Sequence, residues 1–268
     1  MFARPVLGAA LALTLAFFGI SPVRPQQDAR AAARPPRIAA PAFGDAELSD
    51  LLTTLDSTLN TNRDSDRWLS NAKNGLFNFT REIQAGAMTA PQEATVLRHL
   101  EQIGRQYPET NTVAAQARRI VSKFTVGKKA PEIIGTDLEG KPMRLSDYRG
   151  RVVVLSFSGH WCGICRTAYP YERMLIERYG TSEFALVGVN SDTDRAVARQ
   201  AYLDNGLDFR AWWDGPRSGQ IASAWEITGW PTVYILDPQG VIRFVDLKQD
   251  GLLNGVSELV AEAASATR

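Results

Sequence analysis

Val152-Val153-Val154-Leu155-Ser156-Phe157-Ser158-Gly159-His160-Trp161-Cys162-Gly163-Ile164-Cys165 is the stretch on which the reading of the whole chain turns. Its first six residues are β-branched or bulky and apolar with one Ser, the composition of a strand buried on both faces. A short loop, Ser158 to Trp161, follows, and Cys162 then opens a helical pattern that runs to Tyr179 and stops at Gly180. At such a position free backbone amides and the positive end of the helix dipole favour a thiolate, so Cys162 has the setting of a nucleophile. Cys165 stands one turn further on, near enough to close a small disulfide ring with it. These are the only two Cys among 268 residues. That count excludes a disulfide-stapled mini-protein, a four-thiolate iron–sulfur centre and a four-Cys zinc site, and it makes the pair act together or not at all.

Outward from this stretch, further apolar runs at Phe184 to Val189, Thr232 to Leu236 and Val241 to Val245 are separated by segments long enough for crossover helices. Helices are expected at Asp194 to Asn205, Gly219 to Trp225 and Leu252 to Ala264. Asp237-Pro238-Gln239-Gly240 is a tight-turn sequence that makes the last two strands antiparallel. The fold class is therefore α/β, a mixed sheet flanked by helices, over residues 125–268. Before Lys128-Lys129-Ala130-Pro131 the periodicity is different. Leu48, Leu51, Leu52, Leu55 and Leu59 recur at spacings of three and four, as do Val96, Leu97, Leu100 and Ile103, and four short helices are expected between residues 45 and 124. Thr89-Ala90-Pro91 and Tyr107-Pro108, the latter with Asn111 or Thr112 as N-cap, mark boundaries between them. This small all-helical domain holds no Cys and one His, His99, which reads as a helix-surface or satisfied residue, so it is expected to be a spacer or docking module.

Residues 1–21 carry Arg4 and the apolar run Val6 to Ile20, the pattern of a signal peptide or N-terminal anchor. The run is short of the roughly 20 residues of a membrane span. No tight cleavage site follows it, so cleavage and membrane anchoring by residues 6–20 both stay open. Arg24, Arg30, Arg34 and Arg37 beyond the run sit poorly with an anchor whose N-terminus is cytoplasmic. Residues 22–44, rich in Pro, Ala and Arg, read as a linker. A formal charge of +1, from 30 basic and 29 acidic side chains, provides no field for nucleic acid, and none is expected as a partner.

Val153 to Cys165, together with Pro170, Asn190-Ser191-Asp192 and Gly229-Trp230-Pro231-Thr232, resembles the thioredoxin fold and, within the redoxin superfamily, the TlpA/ResA-like exported thiol:disulfide oxidoreductases. The lead-in from Pro131 to Gly150 belongs to the same resemblance, whereas residues 45–124 only loosely resemble tetratricopeptide-like regions. The resemblance implies Cys162 as attacking thiol, Cys165 as resolving thiol and Pro231 as a cis-proline against the disulfide, with Trp161 and Trp230 as apolar platforms for substrate. It implies an extracytoplasmic enzyme without cofactors, one that contributes to cell redox homeostasis, acts on thiol or disulfide proteins and is recharged by a membrane thiol carrier. His160 could tune the Cys162 thiol by holding positive charge beside it.

Three positions depart from the family. Ser156 stands where thioredoxins bury an Asp, Ala168 where many relatives place a Glu, and Ile164 where thioredoxin has Pro. With both usual proton acceptors missing, deprotonation of Cys165 is left to water or to Glu172 after rearrangement. Three alternatives stay beside the exchange reading. A thioredoxin-fold peroxidase would share the lead-in, but its Thr and lone Cys signature is missing. A non-enzymatic copper module would use His160 with Cys162 and Cys165, although no His follows. A purely structural disulfide would gain little from so short a loop.

Overall fold

A computed structural model describes residues 42–266, residue 218 excepted. The expectations for residues 1–41, signal or anchor and most of the linker, lie outside the described residues. Among the described residues no helix is long and apolar enough to cross a membrane. The last residues assigned to the linker are already structured: Phe43 is buried and its amide donates to the Ala87 carbonyl at 3.1 Å.

Four helices follow, α1 (Asp45–Asn60), α2 (Trp68–Ala85), α3 (Ala90–Gln106) and α4 (Asn111–Lys123). Their apolar stripes meet in one cluster that includes Leu48, Leu55, Leu59, Leu76, Val96, Leu100 and Val121. Thr89 caps α3 in a reciprocal box with Gln92, which satisfies two backbone donors at a helix start marked by Pro91. Pro108–Thr110 forms one 3₁₀ turn, and α4 begins directly at Asn111, which is its first helical residue rather than its cap. His99 accepts no ligand role here; its Nε2 lies 2.8 Å from Asp56 Oδ1 and ties α3 to α1.

A small antiparallel hairpin, β1 (Ile134–Thr136) with β2 (Pro142–Arg144), precedes the main sheet. The sheet is built from β3 (Val152–Ser158), β4 (Phe184–Asn190), β5 (Ala211–Trp213), β6 (Thr232–Leu236) and β7 (Ile242–Val245) in the order β5-β4-β3-β6-β7. β3, β4 and β5 are parallel, while β6 and β7 are antiparallel additions, as the Asp237 to Gly240 turn requires. The connections carry α5 (Gly163–Arg166) and α6 (Tyr169–Tyr179), then α7 (Arg195–Asp204) and α8 (Gln220–Ala224), and α9 (Asp250–Ala266) closes the chain. This is the thioredoxin-like mixed sheet flanked by helices, preceded by the all-helical region. β5 and the β1–β2 hairpin escaped the sequence reading because three-residue strands carry too few alternations to show a period.

Both faces of the sheet are covered, and residue parity decides which side each strand residue serves. Val152 and Val154 of β3 pack with Leu175 of α6 and with Leu252, Val256 and Leu259 of α9. Val153, Leu155 and Phe157 face the other way, toward Phe124, Met143, Trp212 and Trp225. Phe124, Phe157, Trp225 and Tyr234 form a chain of tilted and edge contacts with centroids 5.2–6.1 Å apart. Burying each such ring stabilises the fold by roughly 1.5–3 kcal/mol.

The helical layer is fastened to this second face. Gln84 of α2 donates from Nε2 to the Tyr234 hydroxyl at 2.8 Å and to the Phe124 carbonyl at 3.2 Å, all within buried surroundings. Arg81 pairs with Asp246 at 2.8 Å and Arg119 with Glu226 at 2.5 Å.

Candidate active site around Cys162 and Cys165

The two thiols sit where β3 ends and α5 begins. Gly159 allows the turn between them, since a Cβ there would fall 2.3 Å from Trp161 Nε1 and 2.9 Å from Ser191 Oγ. The loop is held from the end of the neighbouring strand. Asp192, buried, accepts the His160 amide at 3.0 Å, the Trp161 amide at 3.2 Å and Asn190 Nδ2 at 2.8 Å. Ser191 donates from its amide and its Oγ to the Ser158 carbonyl at 2.9 and 3.0 Å, and Trp161 Nε1 reaches back to the Ser191 carbonyl. Asn190-Ser191-Asp192, which in sequence carries only family likeness, is thus the buttress that fixes the Cys162 approach. Its legible signal is a run of polar residues directly after a strand buried along its whole length.

Cys162 is the N-cap of α5, and its Sγ accepts the Cys165 amide at 3.2 Å. The same Sγ is 3.6 Å from the Trp230 carbonyl, and the Trp230–Pro231 peptide is cis. Cys162 is 7% exposed and Cys165 1%, so the first is the more accessible of the two buried thiols. Trp161 and Trp230 meet edge to face at 5.9 Å beside the thiols, and the Arg217 guanidinium lies 4.5 Å over the Trp161 ring. His160 turns its ring toward Tyr169, parallel at 6.3 Å with Nδ1 3.4 Å from the hydroxyl.

The helical pattern expected from Cys162 to Tyr179 is broken in two. α5 ends at Arg166 and α6 restarts at Tyr169 with Pro170 in its first turn, since Pro cannot donate the amide that a continuous helix needs there. The restart turns Glu172 inward. Its carboxyl is 3% exposed and accepts the Ser156 hydroxyl at 3.2 Å. Burial pushes its pKa up to about 7, against the pull of the Ser156 hydrogen bond and the Arg173 charge. The Cys165 thiol is also pushed far up, by burial first, then by its hydrogen bond with Cys162, with the Glu172 charge adding to the effect. The Cys165 thiol is therefore held protonated in the folded protein. Among the described residues no group of three or more His, Cys, Asp or Glu is arranged to hold a metal ion.

A model described as the AhpC/TSA family matches residues 126–245. The thiol-disulfide oxidoreductase ResA of Geobacillus kaustophilus is 33% identical over 118 residues, 44% of this chain and 67% of the relative. ResA of Bacillus thuringiensis subsp. konkukian is 29% identical over 120 residues, 45% of this chain and 68% of the relative. Among solved structures, the thioredoxin domain of a thiol-disulfide oxidoreductase from Bacteroides vulgatus is similar with a TM-score of 0.48 at 26% identity, covering 51% of this chain and 98% of that one. With a mixed sheet of thioredoxin order and the level of identity to the Geobacillus protein over two thirds of its length, the chain belongs to the ResA family of thiol-disulfide oxidoreductases.

Proposed function

We propose that the protein exchanges disulfides with exported proteins through Cys162 as nucleophile and Cys165 as resolving thiol. The Cys162 thiolate attacks a substrate disulfide, forming a mixed disulfide and releasing one substrate thiolate. Cys165 passes its proton to the Glu172 carboxylate and attacks the Cys162 sulfur. The substrate leaves fully reduced, and a Cys162–Cys165 disulfide remains. Two electrons from an external thiol donor, by family likeness a membrane thiol carrier, return the pair to dithiol; run backwards, the same steps oxidise substrate. The observation that carries this reading is the Cys165 amide directed at Cys162 Sγ with Cys165 itself sealed behind it. Export rests on the Val6 to Ile20 run and on the likeness to ResA, and it places the work outside the cytoplasm.

Insulin-disulfide reduction with dithiothreitol, measured beside peroxide consumption and copper retention after dialysis, tests the assignment. Turnover of insulin is expected. Peroxide consumption or retained copper without insulin reduction would replace the exchange reading by a peroxidase or a metal module.

A further inference from the structure

A cavity of about 230 Å³ opens between the helical layer and the active-site loops. Phe77 of α2 with Val113 and Ile120 of α4 line one side, and Ile164, Trp230 and Pro231 line the other. Phe77 and Ile164 are 39% and 64% exposed, unusual for large apolar side chains. At its rim Arg81 pairs with Asp246, and Glu226 pairs with Arg119 of α4, which ties the two walls together across the junction, while Phe77, Val113, Ile120, Ile164, Trp230 and Pro231 give it an apolar share beside Lys248 and several amides and hydroxyls. Trp230 makes the groove continuous with the chemistry, because its carbonyl lies 3.6 Å from Cys162 Sγ while its residue walls the cavity.

We propose that this groove binds the segment of the substrate protein next to its reactive Cys, in extended form and with a large apolar side chain, so that α2 and α4 select substrates. The inference rests on the exchange reading above. A helix, about 10 Å across, exceeds so small a space, whereas an extended chain advances roughly 3.3 Å per residue and can run from a Cys docked at Cys162 past Trp230 into the cavity. The AhpC/TSA match begins at Val126, so the thiols are common property of the family while the selecting wall lies outside the matched region.

The test uses the Cys165→Ser protein, whose Cys162 holds a mixed disulfide, and two symmetrical peptide disulfides. In one, Leu and Phe follow the single Cys; in the other, Ser and Gly do. The apolar peptide should form the mixed disulfide about tenfold faster, as expected for burying part of one large apolar side chain. Phe77→Asp and Val113→Asp should each bring the ratio near one. Equal rates for the two peptides, or a preference that survives in both variants, overturn the groove while leaving exchange intact. No mixed disulfide with either peptide overturns both readings. A benzophenone placed two residues from the peptide's Cys supplies a readout that needs no wall variant. Its cross-links should map to α2 or α4, and cross-links confined to the side of Val197 and Arg217 would place substrate elsewhere.

Discussion

The Ser156 hydroxyl donates to the Glu172 carboxyl at 3.2 Å across the interior between β3 and α6. Ser156 occupies the strand position at which thioredoxins bury an Asp, and the acid it meets is supplied instead by the opposite element, Glu172 of α6. The hydroxyl favours the charged form and so partly offsets the cost of burying an acid there.

Glu172→Gln keeps size and hydrogen bonding while removing the proton acceptor. The resolving step, followed as release of the second thiol from a preformed Cys162 mixed disulfide, should slow about 10²-fold or more at pH 7.5. In the parent protein this rate should rise with pH through a midpoint near 7, the pKa of Glu172, and in the variant that midpoint should vanish. A parent profile without a midpoint between pH 6 and 8 would remove Glu172 from the mechanism.

Ala168 lies in the break between α5 and α6, half-buried, at the place where relatives carry a Glu. Ala168→Glu in the Glu172→Gln background should restore a substantial part of the resolving rate, because it returns a carboxyl to the same pair of thiols. Rate constants for the single and double variants, with thermal melting to verify folding, measure this. Absence of any recovery in a folded double variant would show that the position of the carboxyl, and not its presence, is limiting.

Glu172 also links folding to pH. Its pKa is about 7 in the folded protein against an ordinary value of 4.5, so between these values the native state binds more protons than the unfolded chain. Its contribution is fully present below pH 4.5 and is lost as pH rises through 7, a change of about 3 kcal/mol in all at 1.36 kcal/mol per unit. Urea titrations at pH 5 and pH 8 should show the parent losing stability by that order relative to Glu172→Gln. Parallel curves for the two proteins would contradict the buried acid.

Cys162→Ser should abolish insulin reduction, and Cys165→Ser should stall as an isolable mixed disulfide with its partner. The asymmetry follows from exposure and from the Cys165 amide that supports Cys162 Sγ alone. Mass spectrometry of trapped adducts decides it. Capture by Cys162→Ser instead would reverse the two roles.

Gln84→Leu should destabilise the whole protein by about 1–3 kcal/mol, since it orphans a buried Tyr234 hydroxyl and the Phe124 carbonyl. Chemical denaturation followed by fluorescence and by far-UV circular dichroism should give a single shifted transition in both signals. A loss confined to one signal would mean that the helical layer and the sheet melt separately.

Much of the molecule was legible because its signals are local. β3, β4 and β6 are seven-, seven- and five-residue apolar runs, and Thr89 with Pro91 and Gln92 announces a helix start outright. The dithiol was legible for the same reason, a strand, a loop and a helix start in direct succession. Glu172 was only half legible. Its identity as a spare acid could be read, but its inward turn depends on where Pro170 restarts the helix, and its partner is sixteen residues away on another element. Asp192 carries no local signal of its role, because its three hydrogen-bond donors come from a distant loop and from its neighbour Asn190. The groove left no trace, being made by two regions with unrelated periodicities whose contact is tertiary.

Alternation along β3 separates two tasks. Leu155 and Phe157 look toward the aromatic cluster under the helical layer, while Ser156 between them looks toward Glu172. Changes confined to α2 and α4 therefore have no shared partner with the carboxyl, and effects of distant sites without shared partners add. On the exchange reading, one flank can therefore change what it meets without touching the Ser156–Glu172 pair, a single strand serving as the insulation between the two.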